Sequence, residues 1–267
     1  MRRMLATAPR LERQLPDIPG PPSKLLELLE LRVLPELATT LASLPLLQLA
    51  PRGDRHPVLV LPGLVATDGS THLLRAFLAD RGYAVQGWGL GRNVGLVPGL
   101  EVKMMERLRS VHADAGRAVS LVGVSLGGLY ARELAARLPS AVRSVITLGA
   151  PVRGHPKDTN VWRIYEMASG RSVEDARIRR PRLPPDEVPT TSIYSRSDGL
   201  VAWQACVETP AARRECIEVV SSHCGLGVNA AALHAIADRL AQPEGEWQPF
   251  DRTGWRSVLY PDPYRPA

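Results

Sequence analysis

The sequence predicts an α/β fold with a doubly wound, mostly parallel β-sheet. Short apolar runs without polar alternation, typical of strands buried on both faces, recur along the chain. Stretches whose apolar residues have helical spacing separate these runs. In addition, a serine, an aspartate and a histidine each follow such a run, and parallel strands place their carboxyl ends at one edge of a sheet. These observations favour one domain with its functional groups at that edge.

Residues 1–50 form a predicted N-terminal arm. After an irregular Pro- and Gly-rich stretch, Ser23 is expected to cap a leucine-rich helix over 24–32. Pro35 is expected to begin a second helix that ends at Leu44. The leucines cover more than a narrow stripe, so the arm must be buried somewhere. We expect it to pack against its own domain, with a membrane, a partner subunit or the active-site mouth as alternatives.

Residues 51–245 form the predicted α/β domain, with no internal repeat and no linker that would separate a second domain. Strands are predicted over 57–61, 83–88, 118–124, 142–151, 191–195 and 215–221, and helices over 70–81, 101–114, 127–138 and 229–240. Residues 152–189 are rich in charge and proline and have little periodicity, which favours a cap inserted over the carboxyl edge of the sheet. The tail, 246–267, shows no regular element.

The chain is organised around the stretch from Ala118 to Tyr130, an apolar strand followed by a glycine-flanked turn and a helix. Within it, Gly123-Val124-Ser125-Leu126-Gly127 matches the G-x-S-x-G nucleophile elbow. Glycines are needed there because neighbouring side chains would collide with the strand and the helix. We therefore predict that Ser125 is a nucleophile; the alternative is a structural serine in a turn.

A serine nucleophile needs a base, and the base needs an acid that fixes its tautomer. His223 is the one of six histidines that follows a late strand, and Asp198 follows the strand before it. Ser125, Asp198 and His223 also occur in the chain order expected for this turn and sheet. A role for Asp198 as a turn former beside glycine is the alternative. Two other acids, Glu187 and Asp158, are less well placed.

An oxyanion hole requires two backbone N–H groups aimed at the developing negative charge. The first is expected from Leu126, which follows the nucleophile at a helix N-terminus. The second is expected from Leu64 in the loop after the first strand, where Gly63 allows close approach of the backbone.

Composition and cysteine content exclude several other classes of protein. The 267 residues carry a formal charge of +6, largely from arginines in short clusters without interleaved aromatic residues, so we expect no nucleic-acid partner. Three cysteines, Cys206, Cys216 and Cys224, are too few and too loosely spaced for a disulfide framework or zinc site. No secretory signal or membrane span is recognised, which favours a cytoplasmic protein, with contact at a membrane surface as an alternative.

The glycine-rich loop 89–95 lacks the spacing of a dinucleotide-binding fingerprint and the Lys-Ser/Thr of a P-loop, so we predict no cofactor there. The segment that includes the start of this loop resembles a known family, however. Together with the motifs at 60–64, 123–128, 148–151, 197–199 and 222–225, the segment Trp-Gly-Leu-Gly-Arg-Asn from Trp88 to Asn93 resembles bacterial α/β-hydrolases of the lipase/esterase kind. Pro62 departs from the commonest pattern, which has His before the oxyanion glycine, although some lipases also carry Pro.

The resemblance, which covers about residues 57–240, implies ester hydrolysis without a metal or organic cofactor, and it does not imply a particular substrate. We expect the substrate to be a small-molecule or lipid ester. We expect an apolar acyl pocket in the cap, lined by Trp162, Ile164, Tyr165 and Met167. The arginine-rich second half of the cap argues against a mobile apolar lid. An acyltransferase or polyester depolymerase with the same triad is the nearest alternative, and a non-catalytic binding protein is a remote one.

Overall fold

The computed structural model describes residues 15–174, 182–209, 211–263 and 265. Within these residues six strands form one sheet in the order β2-β1-β3-β4-β5-β6, and every neighbouring pair is parallel. The strands are β1 Pro57–Leu61, β2 Ala84–Gly87, β3 Val119–Val124, β4 Val142–Leu148, β5 Thr190–Tyr194 and β6 Arg214–Glu218. The predicted parallel sheet is therefore confirmed, and β3 lies near its centre.

Helices cover both faces of the sheet, because alternate strand residues point to opposite sides. On one side, Val58 and Val60 pack with α4 (His72–Asp80) and with the helix Ala230–Leu240. On the other, Leu59 and Leu61 pack with α5 (Leu100–Ala115) and α6 (Leu126–Arg137). The two buried clusters hold the carboxyl ends of the strands at a common edge.

The arm forms short helices close to the predicted positions, namely α1 Lys24–Leu28, a 3-10 turn Leu29–Arg32, α2 Val33–Ala42 and α3 Leu44–Leu47. Ser23 accepts a hydrogen bond from the Leu26 N–H and caps α1 as predicted. The expectation that the arm leucines pack against their own domain is wrong for most of them. Nine leucines between 25 and 49 are exposed, and Leu47 is buried. The arm instead attaches to the domain mainly through polar side chains, which are described below.

The cap and the tail each contain a helix that the sequence pattern did not predict. In the cap, α7 spans Trp162–Ser169; the arginines at 177, 179 and 180 lie outside the described residues. After α8 (Ala230–Leu240), the tail forms the short helix α9 (Arg256–Leu259). Phe250 and Tyr260 are buried in the same cluster as α4 and α8, so the tail is part of the domain core.

Candidate active site

Ser125 occupies a tight turn between β3, which ends at Val124, and α6, which begins at Leu126. Its backbone has φ 50° and ψ −119°, a conformation that residues other than glycine rarely adopt. The Ser125 N–H donates a hydrogen bond to the Leu148 carbonyl (2.7 Å), and the Gly128 N–H donates to the Ser125 carbonyl (2.8 Å). The turn is thus fixed from both sides, and the serine is presented at the carboxyl edge of the sheet.

The glycines of the predicted elbow have the steric role expected from the motif. A Cβ atom on Gly123 would lie 2.5 Å from the Gly128 Cα. On Gly127, a Cβ would lie 2.6 Å from the Pro62 carbonyl oxygen. Neither distance is compatible with a side chain, so the strand, the helix and the loop after β1 approach closely only because these positions are glycine.

Asp198 and His223 lie in the loops that follow β5 and β6 and form a buried pair. The Nδ1 atom of His223 lies 2.6 Å from Oδ2 of Asp198. The other carboxylate oxygen of Asp198 accepts hydrogen bonds from the N–H groups of Leu200 (2.9 Å) and Val201 (2.8 Å). With both oxygens occupied, the carboxylate has a fixed orientation and directs the His223 ring by its hydrogen bond to Nδ1.

The charge state of His223 depends on opposing effects. Burial disfavours the charged ring and lowers its pKa, whereas Asp198, through its charge and hydrogen bond, and Glu30, through its charge, raise it. The net result is a pKa of His223 above the ordinary value of 6.5. This environment favours an imidazolium, which is the form that a general base acquires when it takes a proton from a nucleophile.

The His223 ring lies beside the end of β4, next to the turn that carries Ser125. A Cβ atom on Gly149 would lie 3.1 Å from two atoms of the His223 ring, and Gly149 directly follows the carbonyl that accepts from the Ser125 N–H. In the part of the chain that the structure describes, no hydrogen bond joins the Ser125 hydroxyl to His223. Such bonds often form only when substrate binds.

The two predicted oxyanion donors are both next to Ser125. Leu64 and Leu126 line the same cleft as the serine, and a Cβ atom on Gly63 would lie 3.5 Å from the Ser125 Cβ. Leu126 is the first residue of α6, where backbone N–H groups have no partner within the helix. The loop after β1 and the N-terminus of α6 therefore present main chain to the space beside the serine hydroxyl.

Asn93 holds the loop after β1 in place, a role that the sequence pattern did not predict. This buried side chain donates a hydrogen bond from Nδ2 to the Pro62 carbonyl (2.9 Å). Its main-chain carbonyl accepts from the Val65 N–H (2.7 Å), and Val65 has φ 53°, unusual for a β-branched residue. Asn93 thus stabilises a strained turn on either side of Leu64. The signal available in the sequence was one amide residue in a glycine-rich loop without phosphate-binding spacing.

A mainly apolar cleft opens above Ser125, between the sheet edge and the cap. Of the four residues expected to line an acyl pocket, Trp162 and Tyr165 of α7 line this cleft, and Ile164 and Met167 do not. Those two side chains are exposed, because positions 162 and 165 share one face of the helix and 164 and 167 lie on another. The remaining lining residues are Leu64, Leu126, Leu129, Pro151, Arg153, Gly154, His155, Pro156, Thr159, Val161, Val173 and Val201.

The alternative site residues are placed elsewhere. Asp158 accepts a hydrogen bond from the His155 N–H (2.7 Å) at the start of a 3-10 turn, and Glu187 is exposed before β5. Desolvation of the thiol and the Glu30 carboxylate raise the pKa of Cys224 to about 11, which disfavours the nucleophilic thiolate.

Among the residues described, no group of three or more His, Cys, Asp or Glu side chains could hold a metal ion. None of the described helices has both the length and the apolarity to cross a membrane.

A second serine–histidine–aspartate set lies at the opposite edge of the sheet. His56, directly before β1, has its Nδ1 atom 2.5 Å from Oδ1 of Asp54 and its Nε2 atom 3.0 Å from Oγ of Ser120. The Ser120 hydroxyl also lies 3.0 Å from that of Ser144. We call Asp54, His56 and Ser120 the amino-edge set. The sequence pattern does not predict this set, because His56 precedes a strand and reactive groups are expected where parallel strands end.

Comparisons with solved structures identify the fold. The chain is similar to MGS-MChE2, an α/β hydrolase from a sediment metagenome of the Mar Chica lagoon, Morocco, with 16% identity and a TM-score of 0.52 over 70% of this chain and 90% of that one. It is similar to a structure of the metagenome-derived lipolytic enzymes LipS and LipT, with 16% identity and a TM-score of 0.51 over 72% and 94%. For lipase B of Aspergillus fumigatus the values are 19% and 0.53, over 71% and 53%.

No family model matches the sequence, and no curated protein matches it. At these identities the likeness concerns the fold. The parallel sheet order and the flanking helices agree with the similar structures and with the resemblance found in the sequence. The chain therefore has the α/β-hydrolase fold.

Proposed function

We propose that this protein is a serine hydrolase that cleaves carboxylic esters, with Ser125 as nucleophile, His223 as base and Asp198 as acid. The observation that carries the proposal is the conformation of Ser125. A serine with φ 50° at the start of a helix stores strain, and here it faces a cleft beside a buried histidine–aspartate pair. A serine with a merely structural role in a turn would not need this strain.

The proposed reaction passes through an acyl-enzyme. His223 accepts the Ser125 hydroxyl proton as Oγ forms a bond to the acyl carbon, and the N–H groups of Leu64 and Leu126 stabilise the oxyanion. Collapse of the resulting tetrahedral intermediate breaks the bond between the acyl carbon and the alcohol oxygen, and His223 donates the proton to the leaving alcohol. Water then attacks the acyl carbon and gives a proton to His223. The bond between the acyl carbon and Oγ breaks, His223 returns the proton to Oγ, and the acid and free Ser125 are released.

The cleft favours an ester with an apolar group. Most of its walls are aliphatic or aromatic side chains, among them Leu129, Trp162 and Val201. Arg153 and His155 add polar groups on the cap side. Two of the similar structures are described as a lipase or as lipolytic enzymes, which is compatible with an apolar ester as substrate. A small-molecule or lipid ester is therefore the proposed substrate class.

A fluorophosphonate probe, which forms a covalent bond with activated serine hydroxyls, tests the proposed nucleophile. We expect the purified protein to be labelled and Ser125→Ala to abolish the label. Ser120→Ala is the matched control, since Ser120 also contacts a histidine that is paired with an aspartate, and it should be labelled like the wild type. Absence of labelling in the wild type, or equal labelling of Ser125→Ala, contradicts the proposal.

Rates on p-nitrophenyl esters of increasing acyl length then define the substrate. An apolar cleft predicts that kcat/KM rises over the first few methylene groups, by up to a few-fold each because each buried CH₂ contributes about 0.8 kcal/mol. Adding an alcohol as acceptor distinguishes hydrolysis from acyl transfer. If ester product replaces acid product at low alcohol concentration, the protein is an acyltransferase with the same triad.

A further inference from the structure

One carboxylate of the N-terminal arm contacts both loops of the candidate site. Oε1 of Glu30 accepts hydrogen bonds from the N–H groups of Gly199 (2.8 Å) and His223 (2.9 Å). Oε2 accepts from the Cys224 N–H (3.0 Å). Because Gly199 directly follows Asp198, Glu30 joins the main chain beside the acid to the main chain of the base itself.

Two further side chains of the arm contact the same loops. Arg32 donates from Nη2 to the Ser197 hydroxyl (2.9 Å) and to the Ser221 carbonyl (2.8 Å), and thereby connects the residue before Asp198 with the start of the His223 loop. Glu36 accepts from the Ser222 N–H (2.7 Å) and pairs with Arg32 (3.0 Å). Carboxylates of the arm thus bind amide N–H groups, and its guanidinium binds oxygen atoms.

The arm lies directly on the Asp198 loop. A Cβ atom on Gly199 would collide with the Leu26 carbonyl of α1, so the two backbones approach this closely only because position 199 is glycine. Asn160 of the cap donates from Nδ2 to the Gly199 carbonyl (2.8 Å) and to the Pro22 carbonyl (3.1 Å). Both polar groups of Gly199 are therefore held, the N–H by the arm and the carbonyl by the cap.

We propose that Glu30 is a positioning residue for the reaction, which holds the Asp198 and His223 loops at a fixed separation so that the imidazole reaches Ser125. This inference rests on the proposed ester hydrolysis. Hydrogen bonds from N–H groups to a carboxylate are stronger than hydrogen bonds between neutral groups. If water molecules took the place of the carboxylate, the distance between the Asp198 and His223 loops would be free to vary. Glu30 touches no reacting atom, so it acts through His223 and Asp198.

Glu30 also brings a negative charge to His223. The charged and titratable side chains on the elements packed against the His223 loop are Asp198 after β5, Glu30, Arg32 and Glu36 on the arm, and Cys224 in the loop itself. Of these, Asp198 and Glu30 raise the pKa of His223 against the effect of burial. Loss of the Glu30 charge should therefore lower the pKa of His223. A shorter side chain that keeps the carboxylate charge but cannot contact both loops should not lower it.

Two substitutions separate position from charge. Glu30→Gln keeps the length but removes the charge and one acceptor; Glu30→Asp keeps the charge but is one methylene too short to reach both loops. We expect each to lower kcat about tenfold or more with KM little changed, since small misplacements of catalytic groups carry penalties of this size. In Glu30→Gln the acid limb of the kcat/KM profile should also move to lower pH by a few tenths of a unit or more, while in Glu30→Asp it should stay.

Glu27→Gln is the matched control, because Glu27 belongs to the same arm and pairs with the exposed Lys24. If the wild type hydrolyses no ester and takes no fluorophosphonate label, the proposed function fails. If the wild type is active and both Glu30 variants match Glu27→Gln in kcat and pH profile, the role of Glu30 alone is overturned. Circular dichroism checks folding. Failure of both variants to fold also overturns the inference, because a residue that only positions the two loops should not be needed for folding of the sheet.

Discussion

Two sets of serine, histidine and aspartate side chains lie at opposite edges of the same sheet. Ser120 and Ser125 belong to the same strand region, five residues and about 16 Å apart at the usual rise of a strand. In the amino-edge set the contacts are complete, with His56 bonded to both Asp54 and Ser120. In the set at the carboxyl edge, the His223 ring is bonded to Asp198, and among the described residues no hydrogen bond joins it to Ser125. Hydrogen-bond distances by themselves would therefore favour the amino-edge set over the site that we propose.

The surroundings of the two serines differ in what catalysis requires. Ser120 is fully buried inside a regular strand, and its hydroxyl is shared with His56 and Ser144. Ser125 instead has a strained backbone, lies at a helix N-terminus and lines a cleft. A nucleophile needs access to a substrate and nearby donors for an oxyanion, and Ser120 has no such access.

The two histidines also differ in the charges around them. Burial lowers the pKa of His56, the charges of Arg143 and Arg117 lower it further, and Asp54 opposes this without cancelling it. For His223, Asp198 and Glu30 outweigh burial, and the pKa is raised. The same residue type, in contact with the same kind of acid, is thus shifted toward the neutral form by burial and neighbouring arginines in one place. In the other it is shifted toward the cation by Asp198 and Glu30, despite burial.

The largest expected contrast between the two sets concerns the aspartates. Asp198→Asn should lower kcat by about 10³- to 10⁴-fold, because an amide cannot fix the tautomer of His223 or stabilise its charge. Asp54→Asn should change kcat by less than about twofold, since Asp54 lies at the other edge of the sheet. Ester hydrolysis by the two purified variants provides the measurement. A large loss of activity in Asp54→Asn would show that the amino-edge set takes part.

The comparison also shows how far the sequence could predict this molecule. The parallel sheet and the elbow depend on local patterns, namely apolar runs and glycines around Ser125, so they were predictable. His223 and Asp198 were found because the ends of parallel strands meet at one edge. The amino-edge set is not predictable from local patterns, because its contacts join the starts of two strands. His56 and Ser120 are 64 residues apart in the chain.

The arm and the cap were less predictable for related reasons. Leucine content predicts burial, yet the arm is attached by Glu30, Arg32 and Glu36, whose partners in the α/β domain lie more than 160 residues away. In the cap, Trp162, Ile164, Tyr165 and Met167 were all expected to line the pocket, but the phase of α7 brings two of them to the cleft. Long-range contacts and helix phase are properties of the folded chain, and composition does not determine them.

A second expected contrast concerns the loop after β1, residues 62–66, which carries the proposed oxyanion donor Leu64 and which we call the oxyanion loop. Asn93→Ala removes the buried amide that donates to the Pro62 carbonyl and should release the strained turn at Val65. We expect kcat to fall about ten- to a hundredfold, with a smaller effect on KM, because misplaced N–H donors chiefly weaken binding of the transition state. Steady-state kinetics on one p-nitrophenyl ester suffices. Arg92→Ala at the neighbouring position is the control, because the Arg92 side chain is exposed to solvent and donates a hydrogen bond to the Val65 carbonyl from the protein surface.

If Asn93→Ala and Arg92→Ala have the same kcat, the loop geometry does not depend on the buried amide. Thermal unfolding of both variants must accompany the kinetics, because loss of a buried hydrogen bond also costs about 1–3 kcal/mol of stability. A fall in kcat at a temperature well below the transition, where the variant is folded, is the result that assigns the effect to the oxyanion loop.

The smallest expected effect concerns stability and pH at the amino edge. The pKa of His56 lies below the ordinary 6.5 in the folded protein, so as pH falls below that value the unfolded chain binds a proton that the folded one does not. The free energy of unfolding should therefore decrease in this window, by at most about 1.4 kcal/mol per pH unit for one proton. His223 acts in the opposite sense, because its raised pKa adds stability below 6.5 that is lost as pH rises through the folded value.

Urea unfolding at a series of pH values, for the wild type, His56→Gln and His223→Gln, separates these two contributions. Removing His56 should make the curve flatter below about pH 6.5. Removing His223 should instead abolish the gain in stability that the wild type shows as pH falls from the raised pKa of His223 to about 6.5. Asp54 contributes its own loss of stability only at lower pH, since hydrogen bonds from His56, Arg117 and Arg143, despite the effect of burial, hold its pKa far below the usual range. Equal curves for the two variants would mean that the neighbouring charges do not distinguish the two histidines, and the electrostatic part of the comparison would fail.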